Sequence, residues 1–219
     1  MLYIVSTPIG NLKDITFRAI DTLREVDLIL AEDTRRTGIL LQRWMIKDKK
    51  MLSYNDKNKT RRTKEVVELL KQGKDIALVS DSGTPGISDP GFYLIREAVK
   101  YNIPISPIPG ACALISALVC SGLPTDKFEF YGFIPKKPGQ KKKFFENLKE
   151  KETTTIFYES PHRIVKTLKT MNDIIPDKNI VIARELTKRF EEFIKGTVKG
   201  VYQKLKDKEI KGEIVVVIH

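Results

Sequence analysis

Short, mostly apolar segments alternate along this chain with longer segments of helical periodicity, and that rhythm restricts the fold more than any single motif does. Leu2–Ser6, Asp27–Ala31, Met51–Tyr54, Ile76–Ser80 and Ile105–Ile108 read as strands. Ile15–Val26, Thr34–Trp44, Thr63–Gln72, Phe92–Tyr101 and Ala111–Ser121 read as helices. In the first of these, Ile15, Ala19, Ile20, Leu23 and Val26 fall on one helical face. Strands that alternate with helices build a mostly parallel sheet covered on both faces, so the first half predicts an α/β domain.

Pro124 interrupts the pattern, which then resumes. Phe128–Phe133, Thr155–Tyr158, Ile180–Ala183, Phe190–Lys195 and Ile214–Ile218 predict strands. Segments near Lys142–Lys151, Pro161–Asn172 and Val198–Leu205 predict helices. The expectation is two α/β domains, 1–124 with a parallel sheet and 125–219 with a mixed one. A chain of 219 residues can bury a core without metals or disulfides. Cys112 and Cys120 lie about 12 Å apart along a helix, too far for a disulfide. No His or Cys set has metal-ligand spacing, so no metal is expected. No apolar run approaches the ~20 residues of a membrane span. The segment Met1-Leu2-Tyr3-Ile4-Val5 has no basic leader, so a signal peptide is not expected and the reading is cytoplasmic. The 39 Lys and Arg against 28 Asp and Glu leave a net charge of +11. That charge suits a polyanionic partner such as nucleic acid, or simply a lysine-rich surface.

Three loops follow strand ends. The longest, Ser80-Asp81-Ser82-Gly83-Thr84-Pro85-Gly86-Ile87-Ser88-Asp89-Pro90-Gly91, leaves a buried strand and enters a helix. An ordinary strand-to-helix turn needs about two to six residues. Glycines let backbone approach a ligand and prolines stiffen the loop. Ligands of open α/β sheets bind beyond the carboxyl ends of the strands. The second loop is Ser6-Thr7-Pro8-Ile9-Gly10-Asn11-Leu12, and the third is Pro107-Ile108-Pro109-Gly110-Ala111-Cys112-Ala113. Neither GxGxxG nor GxxxxGK[ST] occurs, which removes the usual support for a dinucleotide or a nucleoside triphosphate.

Taken in order, Thr7–Leu12, Ala31-Glu32-Asp33-Thr34-Arg35, Ser80–Gly91, Pro109-Gly110-Ala111, Phe157-Tyr158-Glu159-Ser160-Pro161-His162-Arg163, Ala183-Arg184-Glu185-Leu186-Thr187-Lys188 and Lys211-Gly212-Glu213-Ile214 closely resemble the bacterial-type small-subunit ribosomal RNA cytidine-2′-O-methyltransferases. These belong to the tetrapyrrole-methylase-like class of S-adenosylmethionine (SAM) methyltransferases, and the resemblance covers nearly the whole chain. It implies two α/β domains of tetrapyrrole-methylase type with SAM in the interdomain cleft, and a homodimer. Carried over by motif, the cofactor-binding residues are Pro8, Ile9, Gly83, Thr84, Ile87, Ser88, Cys112, Ala113, Tyr158, Ala183, Gly212 and Glu213. Many members carry a further C-terminal stretch beyond the point matching Ile214–His219.

Methyl transfer to a hydroxyl gains from a base that accepts the proton. Glu159, Asp81 and Glu185 are the candidate catalytic residues, each with a packing or ion-pair alternative. Glu159 and Ser160 can instead cap a helix that has Pro161 at its first position, and His162 can be a surface residue or an acid–base group. Arg35, Arg163 and Arg184 are candidate RNA contacts, since guanidinium forks onto phosphate, and Arg35 and Arg184 can equally pair with Asp33 and Glu185 beside them. Lys136, Lys137, Lys141, Lys142 and Lys143 form the more promising of two basic runs, and the other is Lys57–Lys64. Tyr131, Phe133, Phe144 and Phe145 can stack on bases or belong to the core. The expected activity is SAM-dependent 2′-O-methylation of a cytidine ribose in small-subunit ribosomal RNA. The alternatives are a tetrapyrrole precursor or a modified protein histidine as methyl acceptor, or an RNA-binding module without activity.

Overall fold

A computed structural model describes all residues, Met1–His219. The chain divides into two compact units, Met1–Cys112 and Ala113–His219.

The first unit is a five-stranded parallel sheet in the order β3-β2-β4-β1-β5. Its strands are β1 (Leu2–Val5), β2 (Leu28–Ala31), β3 (Met51–Ser53), β4 (Ile76–Val79) and β5 (Ile105–Ile108). Helices α1 (Phe17–Glu25), α2 (Thr34–Arg43), α3 (Lys59–Lys71) and α4 (Phe92–Lys100) connect them. Every residue of β2 and β4 is buried, as a sheet covered on both faces requires. One core lies between α1, α2 and the sheet, around Ile20, Leu23, Ile29 and Leu41. The other lies under α3 and α4, around Leu30, Val66, Leu78 and Leu94.

Helix starts follow from local chemistry. The Thr16 side chain accepts the Ala19 N–H at the start of α1, and Asp33 accepts the Arg35 N–H at the start of α2. Helix α3 starts four residues before the expected Thr63, because Asn58 closes a turn onto Asn55 and Ser53 and hands the chain to the helix early.

The second unit carries a mixed sheet in the order β6-β7-β10-β8-β9, in which only β6 and β7 are parallel. Its elements are α5 (Ala113–Ser121), β6 (Phe128–Phe133), α6 (Pro138–Leu148), β7 (Thr154–Glu159), α7 (Ile164–Ile174), β8 (Asn179–Arg184), β9 (Glu192–Thr197), α8 (Val198–Leu205) and β10 (Ile214–Ile218). The central strand β10 is buried along its full length. Phe145, Phe157, Ile164, Leu168 and Val216 lie in the core beneath it.

Three expectations shift. The units divide between Cys112 and Ala113 rather than at 124, because the apolar helix α5 packs on β7, β8 and β10 of the second sheet. The helix expected near Lys142–Lys151 begins earlier, because Pro138 opens α6 at its favoured first turn. Helix α7 begins at Ile164, not Pro161, because Pro161–Arg163 form a turn in which the Ser160 carbonyl accepts the Arg163 and Ile164 N–H groups.

Candidate functional site

In the first unit, β1 lies between β4 and β5, so the loops after all three strands leave the same carboxyl edge side by side. They are stitched together by hydrogen bonds. Thr7 and Gly83 pair in both directions, with N–H to carbonyl distances of 2.9 and 3.1 Å. The Thr7 hydroxyl donates to the Ser80 carbonyl at 3.1 Å. The Ser6 and Thr84 hydroxyls lie 2.9 Å apart, and Thr84 donates to the Ala111 carbonyl at 3.3 Å.

The glycines are there because this close approach leaves no room. Gly83 has a φ of +82°, a backbone conformation that side-chain-bearing residues rarely adopt, and a Cβ on it would touch Ile9 at 3.4 Å. A Cβ on Gly110 would meet the Ser6 side chain at 3.0 Å. Pro8 and Ile9 are buried, so their own contribution to a ligand is backbone and loop shape. Ile87 is exposed, and Ser88 beside it holds a left-handed φ of +63°. Cys112 is a partly buried cysteine, outside any disulfide, that ends this edge, and Ala113 opens α5. A narrow, rigid, largely neutral cradle of this kind, with one exposed aliphatic side chain, suits a ligand with an apolar ring and few charges.

The adjoining strand brings a polar group to the same edge. Asp81 accepts the Asp33 N–H at 2.9 Å and faces Arg36 at 3.5 Å. Glu32 accepts the Asp81 N–H at 3.4 Å. Burial raises the Glu32 carboxyl pKa above the ordinary range, the Asp81 N–H opposes this, and the negative charges of Asp81 and Asp56 add to it. Arg35, expected to meet RNA, stands exposed with its guanidinium on Asp33 at 2.6 and 3.0 Å. That pairing holds the Asp33 carboxyl down at about 2.

In the second unit, β10 runs antiparallel to β7 and β8, so its start lies beside their ends. Tyr158, Val215 and Ala183 form one row across the three strands. Tyr158 packs edge-on against Phe130 and Phe133, and Ala183 is fully buried. Just beyond the sheet, Glu185 adopts a φ of +53° and accepts the Glu213 N–H at 2.9 Å. Lys188 bridges the Glu185 and Glu213 carboxylates, both at 3.0 Å. Gly212, at φ +92°, must lack a side chain, because a Cβ there would collide with the Glu185 side chain. The Glu213 N–H chiefly, with Lys188, holds the Glu185 carboxyl below its ordinary pKa. Arg184 forks onto Glu192 at 3.1 and 3.2 Å and donates to the Lys211 carbonyl.

Two expectations on this side are corrected. Glu159 does not stand free as a base. It is buried, one oxygen takes the Ser160 N–H at 2.7 Å and Arg163 at 2.5 Å, and the other takes the Thr167 hydroxyl at 2.7 Å. Lys141 does not reach out for phosphate: it is 7% exposed and donates to the Thr167 hydroxyl at 2.8 Å, with Glu159 at 3.9 Å. Desolvation lowers its ammonium pKa, Glu159 opposes this, and Arg163 adds to it. The signal was in the spacing, because Lys141, Phe145 and Leu148 form the buried stripe of α6. Lys136, Lys137, Lys142 and Lys143 are exposed, while Phe145 is core. Arg163 is committed to Glu159, and one of its nitrogens is buried without a partner. His162 is exposed. No group of His, Cys, Asp and Glu side chains is arranged to hold a metal, and no helix is long and apolar enough to cross a membrane. Sequence reasoning gave Glu32 no separate role; its place at the end of a buried strand, three positions before an arginine, was the available signal.

Comparison with known proteins bears on what such a site does. The family described as Tetrapyrrole (Corrin/Porphyrin) Methylases matches residues 1–202. Among solved structures, the methyltransferase CobJ superposes with a TM-score of 0.72 at 17% identity, covering 99% of this chain and 92% of that one. A uroporphyrin-III C-methyl transferase from Thermus thermophilus, solved with S-adenosylhomocysteine, superposes with a TM-score of 0.64 at 14% identity, covering 99% and 96%. These confirm the two-domain α/β fold. Among curated proteins, the ribosomal RNA small subunit methyltransferase I of Hydrogenobaculum sp. is 49% identical, over 99% of this chain and 94% of its own. The protein of that name from Thermotoga maritima is 48% identical over 99% and 97%, and that from Halalkalibacterium halodurans is 48% identical over 99% and 75%. Identity of that level along both units, with the loop cradle and the Glu185–Gly212 clasp in place, means that the chain belongs to the ribosomal RNA small subunit methyltransferase I family of the tetrapyrrole methylases.

Proposed function

We propose that this protein is a SAM-dependent methyltransferase that methylates the 2′-hydroxyl of a cytidine ribose in small-subunit ribosomal RNA. The observation that carries the reading is the 48–49% identity, over almost the whole chain, to proteins that bear the name of small-subunit ribosomal RNA methyltransferase. SAM, when bound, supplies a methyl group on a positively charged sulfur. In the first unit it is held by the backbone of Pro8, Ile9, Gly83 and Thr84, by Ile87 and Ser88, and by Cys112. The Thr7–Gly83 pairing that brings these loops together and the exposure of Ile87 support this assignment. Ala113, Tyr158, Ala183, Gly212 and Glu213 complete the proposed set by motif.

The chain's contribution to the reaction is mainly placement. Holding two reactants in line removes much of the entropic barrier, and the hydrogen bonds between Ser6, Thr7, Gly83, Thr84 and Ala111 keep the cradle rigid. Exposed Lys136, Lys137, Lys142 and Lys143 are the proposed contacts to RNA phosphates, with Arg35 as a further one. Asp81 and Glu185 have their charges engaged by neighbours, which favours shaping of the site over proton transfer. The protein is proposed to work in the cytoplasm as a homodimer. Phe92 and Val99, exposed seven residues apart on α4 with Arg96 between them, are the side chains proposed to take part in self-association. The reading is tested by incubating the protein with methyl-labelled SAM and small ribosomal subunits or naked ribosomal RNA, then mapping the label.

A further inference from the structure

We propose that Glu32 is the group that accepts the ribose hydroxyl proton, resting on the reading above that the acceptor is a 2′-hydroxyl. Within each unit most carboxylates near the strand ends are engaged: Asp33 holds Arg35, Asp56 pairs with Lys59, and Glu213 pairs with Lys188. Glu159 is buried with both oxygens bonded. Glu185 is held by the Glu213 N–H and Lys188. Asp81 accepts the Asp33 N–H with one oxygen and faces Arg36 with the other.

Glu32 follows the last residue of the buried strand β2, directly beside β4 and the long glycine-rich loop. It is half-buried and accepts one long bond, 3.4 Å, from the Asp81 N–H. The groups facing it are Asp81 from the loop after β4, Asp56 from the loop after β3, and Arg36 from α2. Desolvation and the two aspartates raise its carboxyl pKa above the ordinary glutamate value, against the Asp81 N–H and Arg36, the direction that makes a carboxylate a better proton acceptor. In the step, the 2′-oxygen forms its bond to the methyl carbon and the sulfur–methyl electron pair returns to sulfur, leaving S-adenosylhomocysteine. The hydroxyl proton passes to a Glu32 carboxylate oxygen and then to solvent. Asp81 acts as a positioning residue that keeps Asp33 and the start of α2 in register with the long loop.

The test uses the full chain with Glu32→Gln and Glu32→Asp, read three ways. Calorimetric SAM affinity should stay within about three-fold of wild type. The single-turnover rate on small subunits should fall on the order of 100-fold or more in Glu32→Gln, recover in part in Glu32→Asp, and lose its acid limb in Glu32→Gln. Carbon NMR of carboxyl-labelled glutamate in the free protein should show the Glu32 signal, identified by its absence in Glu32→Gln, titrating above the ordinary glutamate value. A Glu32→Gln rate within about three-fold of wild type, an unchanged acid limb, or a Glu32 signal in the ordinary range overturns the assignment. So does loss of SAM binding in step with the rate, which means a structural role. If wild type labels the ribose while Glu32→Gln does so equally well, only this assignment fails. If wild type does not label the ribose at all, the functional reading fails with it.

Discussion

At Gly83, a φ of +82° costs an L-residue about 1–2 kcal/mol, and a branched side chain would also displace Ile9. Gly83→Val is therefore expected to abolish SAM binding by calorimetry while far-UV circular dichroism stays native; retained affinity would show that this loop is not the pocket. Glu159 makes the opposite kind of contribution. Its removal leaves buried Lys141 and partly buried Arg163 without a counter-ion, so Glu159→Ala should cost about 3–5 kcal/mol in urea unfolding. A third residue carries a pH signature. The Glu185 carboxyl titrates lower in the folded chain, so it contributes stability above its unfolded pKa and loses it as pH falls through the folded one. The stability gap between wild type and Glu185→Gln should be full at neutral pH and close on acidification. A gap that stays constant with pH would mean that the Glu185 charge plays no part.

At the scale of elements, much of this fold was legible. Short apolar runs and helical patterns marked the strands and α-helices of the first unit, and the buried runs Ile76–Val79 and Ile214–Ile218 leave little choice about the centres of the two sheets. What sequence did not show was which charges are turned inward. Lys141 reads as one member of a lysine run until α6 is drawn as a helix, when it falls on the stripe of Phe145 and Leu148. Glu159 reads as a strand-end carboxylate until Thr167 and Arg163 arrive from the turn and helix that follow. The loop motifs were legible as a set, but the bonds that join Thr7 to Gly83 and Thr84 to Ala111 depend on strand order, which local pattern does not encode. The element-level test separates the lysines. Reversing Lys136, Lys142 and Lys143 to Glu should weaken RNA binding and shrink its salt slope by roughly 0.7 for each phosphate no longer neutralised, with SAM affinity unchanged. Lys141→Met should leave RNA affinity as it is. Equal effects of the two changes would contradict the burial of Lys141.

For the molecule as a whole, the charge of +11 acquires a location in the exposed lysines that begin and face outward on α6. Exposed Phe92 and Val99 on α4 are the proposed contacts of the homodimer, and Phe92→Glu with Val99→Glu should convert a dimer to a monomer in sedimentation velocity. A monomeric wild type would remove that proposal without touching the chemistry. The chemistry rests on where the methyl group goes. The most direct measurement is incubation of small subunits and of naked ribosomal RNA with methyl-labelled SAM, followed by nuclease digestion and mass spectrometry of the nucleosides. Label on the ribose of a cytidine, as 2′-O-methylcytidine, is the expected result. Label on a base, on protein or only on an added tetrapyrrole would contradict the account.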